Sequence, residues 1–235
     1  NPRTGLVRNA NSTWLNGRPF EADLAEAFGR PVRAVNDANC LALSEATDGA
    51  AAGASTVFAV ILGTGTGAGV VVNGRLHEGA HGIAGEYGHM PLPIARADEF
   101  PGPVCYCGRR GCVETWISGP ALAEDFARSV GAGDPPTAAE VAELAATGDG
   151  DAEAALARHA DRLARSLAVI QNTLDPEVIV LGGGLSNMDH LYRDLPGLMA
   201  RDIFADEATP RILRARWGDS SGVRGAARLW QENAR

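Results

Sequence analysis

The sequence predicts an α/β protein built on a mostly parallel sheet, and three observations carry that prediction. Two apolar, β-branched runs, residues 56–62 and 177–181, are short and bounded by turn formers, as buried strands are. Leu156, Leu163, Leu167, Ile170 and Leu174 recur at steps of three, four and seven, the stripe of one long amphipathic helix over 151–174. Helix, strand, glycine turn, helix and strand then follow one another to the end of the chain.

Each element has its own signal. Residues 9–17 read as a loop, 21–28 as a helix, 32–35 as a short strand and 37–52 as an Ala-rich helix opened by Asn36 and Asp37. The strand over 56–62 runs into a glycine loop, then a second strand over 68–72 with an Asn73-Gly74 turn. Residues 77–111 are irregular, rich in Gly, Pro, Cys and His, and too long for an ordinary connection, which points to a functional or metal-stapled segment. Helices over 118–130 and 137–146 are separated by the breaker cluster at 131–136. Asp175-Pro176 ends the long helix. A strand over 177–181, a tight turn over 182–184, a helix over 188–200, a strand over 212–216 and a helix over 223–230 complete the chain.

Composition narrows the function. The chain has 235 residues, 45% hydrophobic and 21% charged, so it can bury one core or two modest ones and is neither disordered nor collagen-like. All 21 basic residues are Arg, which excludes a phosphate loop ending in Gly-Lys-Ser/Thr and any lysine Schiff base. A net charge of −8 argues against nucleic acid or an anionic membrane as the main partner. The longest apolar run, 57–62, is too short to span a bilayer and residues 1–16 lack a signal-peptide pattern, so the expected location is cytoplasmic. The first residue is Asn1 rather than Met, which reads as a fragment or processed form.

Four constellations carry chemistry. Gly63, Thr64, Gly65, Thr66 and Gly67 fit a dinucleotide fingerprint by letter, but a Val-rich hairpin follows where that fingerprint needs a helix. The loop is either a phosphate cradle or a glycine-rich β turn. His89, Cys105, Cys107 and Cys112 supply an imidazole and three thiolates, a set for a closed, structural tetrahedral zinc site, against the alternative of three reduced thiols. Cys40 reads as core. Asp37, Glu86 and Glu114 are carboxylates beside glycine or cysteine motifs; Asp37 is a helix cap or a catalytic group, while Glu86 and Glu114 flank the metal loop and suit a polar ligand. Gly182, Gly183 and Gly184 follow a strand, where crevices bind nucleotides and where glycines also occur for steric reasons.

Together, Asn36-Asp37-Ala38-Asn39, the glycine loop, Gly85-Glu86-Tyr87-Gly88-His89, the cysteine segment 105–114 and Asp175-Pro176 leading to 182–184 resemble the ROK family of repressors and sugar kinases. Within it, the segments 9–17, 58–60, 117–119 and 219–226 resemble the bacterial fructokinase branch. The resemblance implies two ribonuclease-H-like lobes of the actin and hexokinase type. One would hold residues 1–54 with 218–235 packing back on it, and the other residues 55–217 with a zinc loop over 85–114. It implies Asp37 as general base for attack of a sugar hydroxyl on ATP, and sugar contacts from Asn36, Glu86, His89 and Glu114. It further implies zinc on His89, Cys105, Cys107 and Cys112, phosphate contact at 63–67, the adenosine side of the cleft at 182–184, and Mg²⁺ on the phosphates. Fructose is the expected hexose. N-acetylglucosamine, glucose or mannose, or a sugar-sensing repressor domain, are the alternatives, and a homodimer supported by the zinc loop fits the family. The family's Asp-x-Gly-Gly-Thr hairpin has no match in the chain, so the expected first lobe is short at its start and the expected activity of this polypeptide alone is weak.

Overall fold

The computed structural model describes residues 3–8, 10, 12–205 and 210–230; Asn9 and Asn11 of the kinase-like loop, and residues 231–235 of the C-terminal segment, lie outside them. Among the described residues, five strands form one sheet in the order β3-β2-β1-β4-β5. Strands β1 (Thr56–Leu62), β2 (Thr66–Val72) and β3 (Arg75–Leu76) are antiparallel neighbours, while β4 (Val178–Gly182) and β5 (Ile212–Arg214) run parallel to β1. This is the sheet of a ribonuclease-H-like lobe. Asn73 and Gly74 both have positive φ, 51° and 72°, the two-residue turn that matches strand twist and joins β2 to β3.

Alternation along β1 builds two cores. Phe58, Val60 and Leu62 face a layer holding α4 (Gly119–Val130), α5 (Ala138–Ala146), α6 (Gly150–Leu174) and α7 (Asp189–Met199). Val57 and Ala59 face Leu41 and Ala42 of α2 (Asp37–Asp48), which lies with α8 (Ser221–Arg228) on the other side. Both faces of β1 and β4 are thus covered, and their near-continuous apolar sequences follow from that burial. Helix starts sit where side chains cap them: Ser118 accepts from the Ala121 N–H, Thr137 and Glu140 form a reciprocal box, and Asp149 accepts from the Ala152 N–H at 2.9 Å.

The first segment departs from expectation at one point. Helix α1 (Phe20–Phe28) forms, but residues 32–35 join no sheet. The Ala34 N–H donates instead to the Glu21 carboxylate at 2.8 Å, and Arg33 donates to the Leu229 carbonyl. A strand is defined by its neighbour, and no described strand lies beside this apolar run. Helix α2, which the sequence reading sets in the first lobe, covers β1 and β2 directly.

Two buried carboxylates organise the connections. Glu45, on α2 and fully buried, accepts from the Ala50 N–H (2.8 Å), the Arg216 N–H (3.0 Å), the Trp217 N–H (3.3 Å) and the Ser221 hydroxyl (2.8 Å). It ties the end of α2 to the turn between β5 and α8. Glu99 pins the long loop to α6 through Arg162 (2.9 Å) and Arg165 (2.7 Å); Arg162 also reaches Asp125 (2.9 Å), and Arg165 bonds the carbonyls of Pro93 and Ile94 at 3.0 and 2.8 Å.

Burial alone would push the Glu99 carboxyl up, but the two guanidinium groups and the Arg96 N–H outweigh it and hold it down to about 2. Its folded value lies below its unfolded value, so its stabilisation is complete above the ordinary carboxylate range and is lost as pH falls from about 4.5 through about 2. That shift corresponds to about 3 kcal/mol. Burial likewise lowers His159 to about 4, so it is neutral at pH 7 and its protonation opposes folding as pH falls below 6.5. Unfolding midpoints measured against pH should therefore decline from about 6.5 and steepen below 4.5. Glu99→Gln should cost about 3 kcal/mol at neutral pH and remove the steep part; an unchanged acid limb in that variant rules the assignment out.

Candidate functional site

The first residues of β2 are the meeting point. Helix α2 begins against them: a side chain at Gly67 would lie 3.5 Å from the Ala38 Cβ. Asn36 caps the helix, its Oδ1 accepting from the Ala38 N–H at 2.8 Å, and the same N–H reaches Asp37 Oδ1 at 2.9 Å. This shared donor orients both side chains. Asp37 is exposed at the start of the helix.

The turn holding Glu86 and His89 lies on the same stretch of β2. A Cβ at Gly85 would stand 2.1 Å from the Ala68 carbonyl oxygen and one at Gly88 2.0 Å from that of Thr66, so only glycine permits this approach. Tyr87 anchors the turn from below, its hydroxyl 2.8 Å from that of Ser166 and its ring edge-on to Phe58. From the third side comes Glu114, the first residue of α3 (Glu114–Ile117), whose Oε2 accepts from the Thr66 N–H at 2.8 Å. Asp37, Asn36, Glu86, His89 and Glu114 thus gather around the glycine loop, although they come from three separate segments.

The loop itself is a three-residue hairpin connection, since Leu62 pairs with Thr66. The Gly63 N–H bonds the Gly65 carbonyl at 3.0 Å and the Gly63 carbonyl accepts from Gly119 at 2.8 Å. Thr64 is exposed, and the Thr66 hydroxyl is buried without a partner among the described residues. Residues 182–184 stand beside this loop because Ile61 pairs with Gly182 across the parallel β1–β4 ladder. Gly182 and Gly183 have packing reasons: side chains there would meet Leu41 at 2.8 Å and the Leu62 carbonyl at 2.6 Å. Gly184 faces open space. The two glycine segments lie at the carboxyl ends of adjacent parallel strands, where the order of the sheet turns and where α/β sheets bind nucleotides.

His89, Cys105, Cys107 and Cys112 place their ligand atoms within 4.8 Å of one another. His89 Nδ1 is 3.5 Å from Cys105 Sγ, and Cys107 Sγ is 3.6 Å from Cys112 Sγ. Zinc bonds of about 2.3 Å to sulfur and about 2.0 Å to nitrogen at the tetrahedral angle require edges of about 3.5 Å and about 3.8 Å. The donor set fits. The long loop is closed around it by the pairings of Pro91 with Cys112 and Val104 with Arg110. His89 turns its second nitrogen, Nε2, to the Tyr106 hydroxyl at 2.8 Å, so one nitrogen meets the thiol cluster and the other meets Tyr106. Burial pushes the Cys107 thiol up, but donors from Arg109 and the neighbouring thiols hold it down to about 7; burial and those same thiols push Cys112 up to about 12.

Tyr106, Glu45 and Glu99 are the residues that sequence reasoning missed. Tyr106 sits inside the Cys-x-Cys motif, where spacing draws attention to sulfur alone. Glu45 carries a weak local signal, a carboxylate in an apolar run of α2, while its donors lie about 170 residues away.

A ribonuclease-H-like sheet with a glycine hairpin at its crevice and a carboxylate at an adjoining helix start defines an α/β protein of the actin and hexokinase type. The chain belongs to the ROK family, whose model matches residues 1–233. It is 41% identical over 233 residues to the N-acetyl-D-glucosamine kinase of Yersinia pseudotuberculosis, covering 97% of this chain and 76% of that one. Its fold is similar to the ROK hexokinase of Thermus thermophilus, with TM-score 0.83 and 33% identity over 98% of this chain and 76% of that one. It is also similar to a ROK family glucokinase of Streptomyces griseus solved with glucose and AMPPNP, with TM-score 0.80 and 28% identity over 92% of this chain and 73% of that one. The kinase expectation agrees with these relatives; the fructose expectation finds no support among them. No helix among the described residues is long and apolar enough to cross a membrane.

Proposed function

We propose that the chain forms the catalytic part of an ATP-dependent sugar kinase whose acceptor is N-acetyl-D-glucosamine, with Asp37 as general base. One observation supports this reading: the segments bearing Asn36 and Asp37, Glu86 and His89, and Glu114 converge on the start of β2 beside the glycine loop. The 41% identity to an N-acetyl-D-glucosamine kinase supports this acceptor ahead of fructose.

Phosphoryl transfer asks mainly for positioning and charge stabilisation. Asn36, Glu86, His89 and Glu114 hold the sugar hydroxyls, Asp37 takes the proton of the attacking hydroxyl, and the sugar oxygen so freed joins the γ-phosphorus as the bond to the β,γ-bridging oxygen breaks and ADP leaves. The exposed Thr64 at the tip of the 63–67 loop borders the phosphates, and residues 182–184 border the nucleoside. Mg²⁺ on the phosphates neutralises their charge. A lysine is not required, and none is present. Zinc on His89, Cys105, Cys107 and Cys112 uses four protein ligands, so its part is to hold the sugar-facing loop.

A coupled assay of ADP release over N-acetylglucosamine, N-acetylmannosamine, glucose, mannose and fructose tests the acceptor. N-acetylglucosamine should show the highest kcat/KM, at least tenfold above fructose. Fructose as the best acceptor would reinstate the fructokinase reading.

A further inference from the structure

Helix α2 carries Asp37 at its first residue and Glu45 two turns further on, about 12 Å along the same rod. Glu45 is fully buried, and the donors that reach it are backbone N–H groups and one hydroxyl. Its Oε2 accepts from Ala50 and Arg216, and its Oε1 from Trp217 and the Ser221 hydroxyl. Arg216, Trp217 and Ser221 belong to the segment leading from β5 into α8. That segment starts at Ala215, whose N–H bonds the Leu181 carbonyl of β4 at 2.8 Å, and the glycines 182–184 follow Leu181 directly. Helix α8 closes on α2 at two more places: Gly225 lies against the Cys40 carbonyl with no room for a Cβ, and Arg224 and Arg228 pair with Asp48 at 2.6 and 2.7 Å.

We propose that Glu45 is a positioning residue for phosphoryl transfer: it locks the helix that bears Asp37 to the strand ends on the nucleotide side, an inference that rests on the sugar-kinase reading above. Leu41 of α2 also packs on Gly182, but apolar contact is non-directional and leaves the helix free to slide or turn. Hydrogen bonds are directional, and those on Glu45 come from three separate stretches of chain. The requirement for a carboxylate is strict, since each of its oxygens accepts two bonds. An amide offers one oxygen, and whichever way it is turned its NH2 faces two donors. Those donors lose their partner in a buried place, and the turn and α2 part. Asp37 then moves with its helix. A displacement of about 1 Å at a general base can cost about a hundredfold in rate, so a small shift at Glu45 reaches the chemistry without touching it.

The test measures kcat by ADP release, the dissociation constant for N-acetylglucosamine by calorimetry and the melting temperature. Glu45→Gln should lower kcat about tenfold or more and change sugar affinity less than about threefold, because Glu86, His89 and Glu114 sit on other segments. Glu45→Asp keeps both acceptor oxygens one methylene short and should fall between Glu45→Gln and the unaltered protein. Ser221→Ala removes one donor and leaves the carboxylate; it should lower kcat about threefold, and it keeps the test decisive if Glu45→Gln fails to fold. Asp149→Ala, which uncaps α6 in the opposite layer, is the control for stability: the melting temperature should fall by about 2–4 °C with kcat within about twofold. In an Asp37→Asn background, Glu45→Gln should lower the residual rate less than about twofold, since no base is left to place. A lower melting temperature with unchanged kcat in the folded variants overturns the proposal, as does a further tenfold loss in the Asp37→Asn background; either result leaves Asp37 standing as the base. Turnover of Asp37→Asn within about tenfold of the unaltered protein overturns the base and the positioning role together.

Discussion

Asp37→Asn should lower phosphoryl transfer by about three orders of magnitude, within the range that a positioned general base supplies, and change sugar affinity by less than about threefold. The structure explains why the two effects separate. Asn at position 37 keeps an oxygen for the Ala38 N–H, which Asp37 Oδ1 accepts at 2.9 Å, and Asn36 still caps the helix at 2.8 Å. The start of α2 keeps its place on β2, and Glu86, His89 and Glu114, the proposed sugar contacts on other segments, are untouched. What disappears is the capacity to take a proton. ADP release gives the rate and calorimetry the sugar affinity. Turnover within tenfold of the unaltered protein would remove Asp37 as the base, while equal losses in rate and affinity would make it a binding residue only.

How much was legible in the sequence depended on how local each cause is. The hairpin of β1 and β2 follows from β-branched runs and Asn73-Gly74, and the helix starts at Ser118, Thr137 and Asp149 follow from capping side chains, all within a few residues. Residues 32–35 show the limit, because an apolar pattern cannot say whether a neighbouring strand exists. Glu45 and Glu99 read as ordinary charged residues until distant groups converge on them: Arg216, Trp217 and Ser221 on one, Arg162 and Arg165 on the other. The metal ligands, the glycine segments, Asp37, Glu86 and Glu114 stand out by their motifs, but their roles toward a sugar and ATP came only through the resemblance. Their physical reason, three segments meeting at Thr66 to Ala68 beneath two obligatory glycines, is long-range. The acceptor was the least legible part, since carboxylates and an imidazole specify hydroxyls but not the ring that bears them.

Loss of the metal should have the largest effect on stability. Metal analysis should find about one zinc per chain, since one closed tetrahedral site takes one ion. The three thiols answer to one another: Cys107 is held to about 7 while Cys112 stands at about 12, so without a metal they do not all ionise near neutral pH. Zinc requires all three as thiolates, and its uptake therefore releases protons and weakens as pH falls. Cys112 is the sensitive position, because its thiol is buried and its backbone joins Pro91 across the loop. Cys112→Ser, or removal of zinc by a chelator, should lower the melting temperature by about 10 °C, taking about 2–4 °C per kcal/mol for a chain of this size. The effect should reach the sugar as well, since His89, a proposed sugar contact, places Nδ1 against the thiol cluster and Nε2 on Tyr106. Sugar affinity should therefore fall about tenfold in the metal-free protein and return on adding zinc. A folded, zinc-free chain that binds sugar as tightly as before would reduce the cluster to three ordinary thiols beside a histidine.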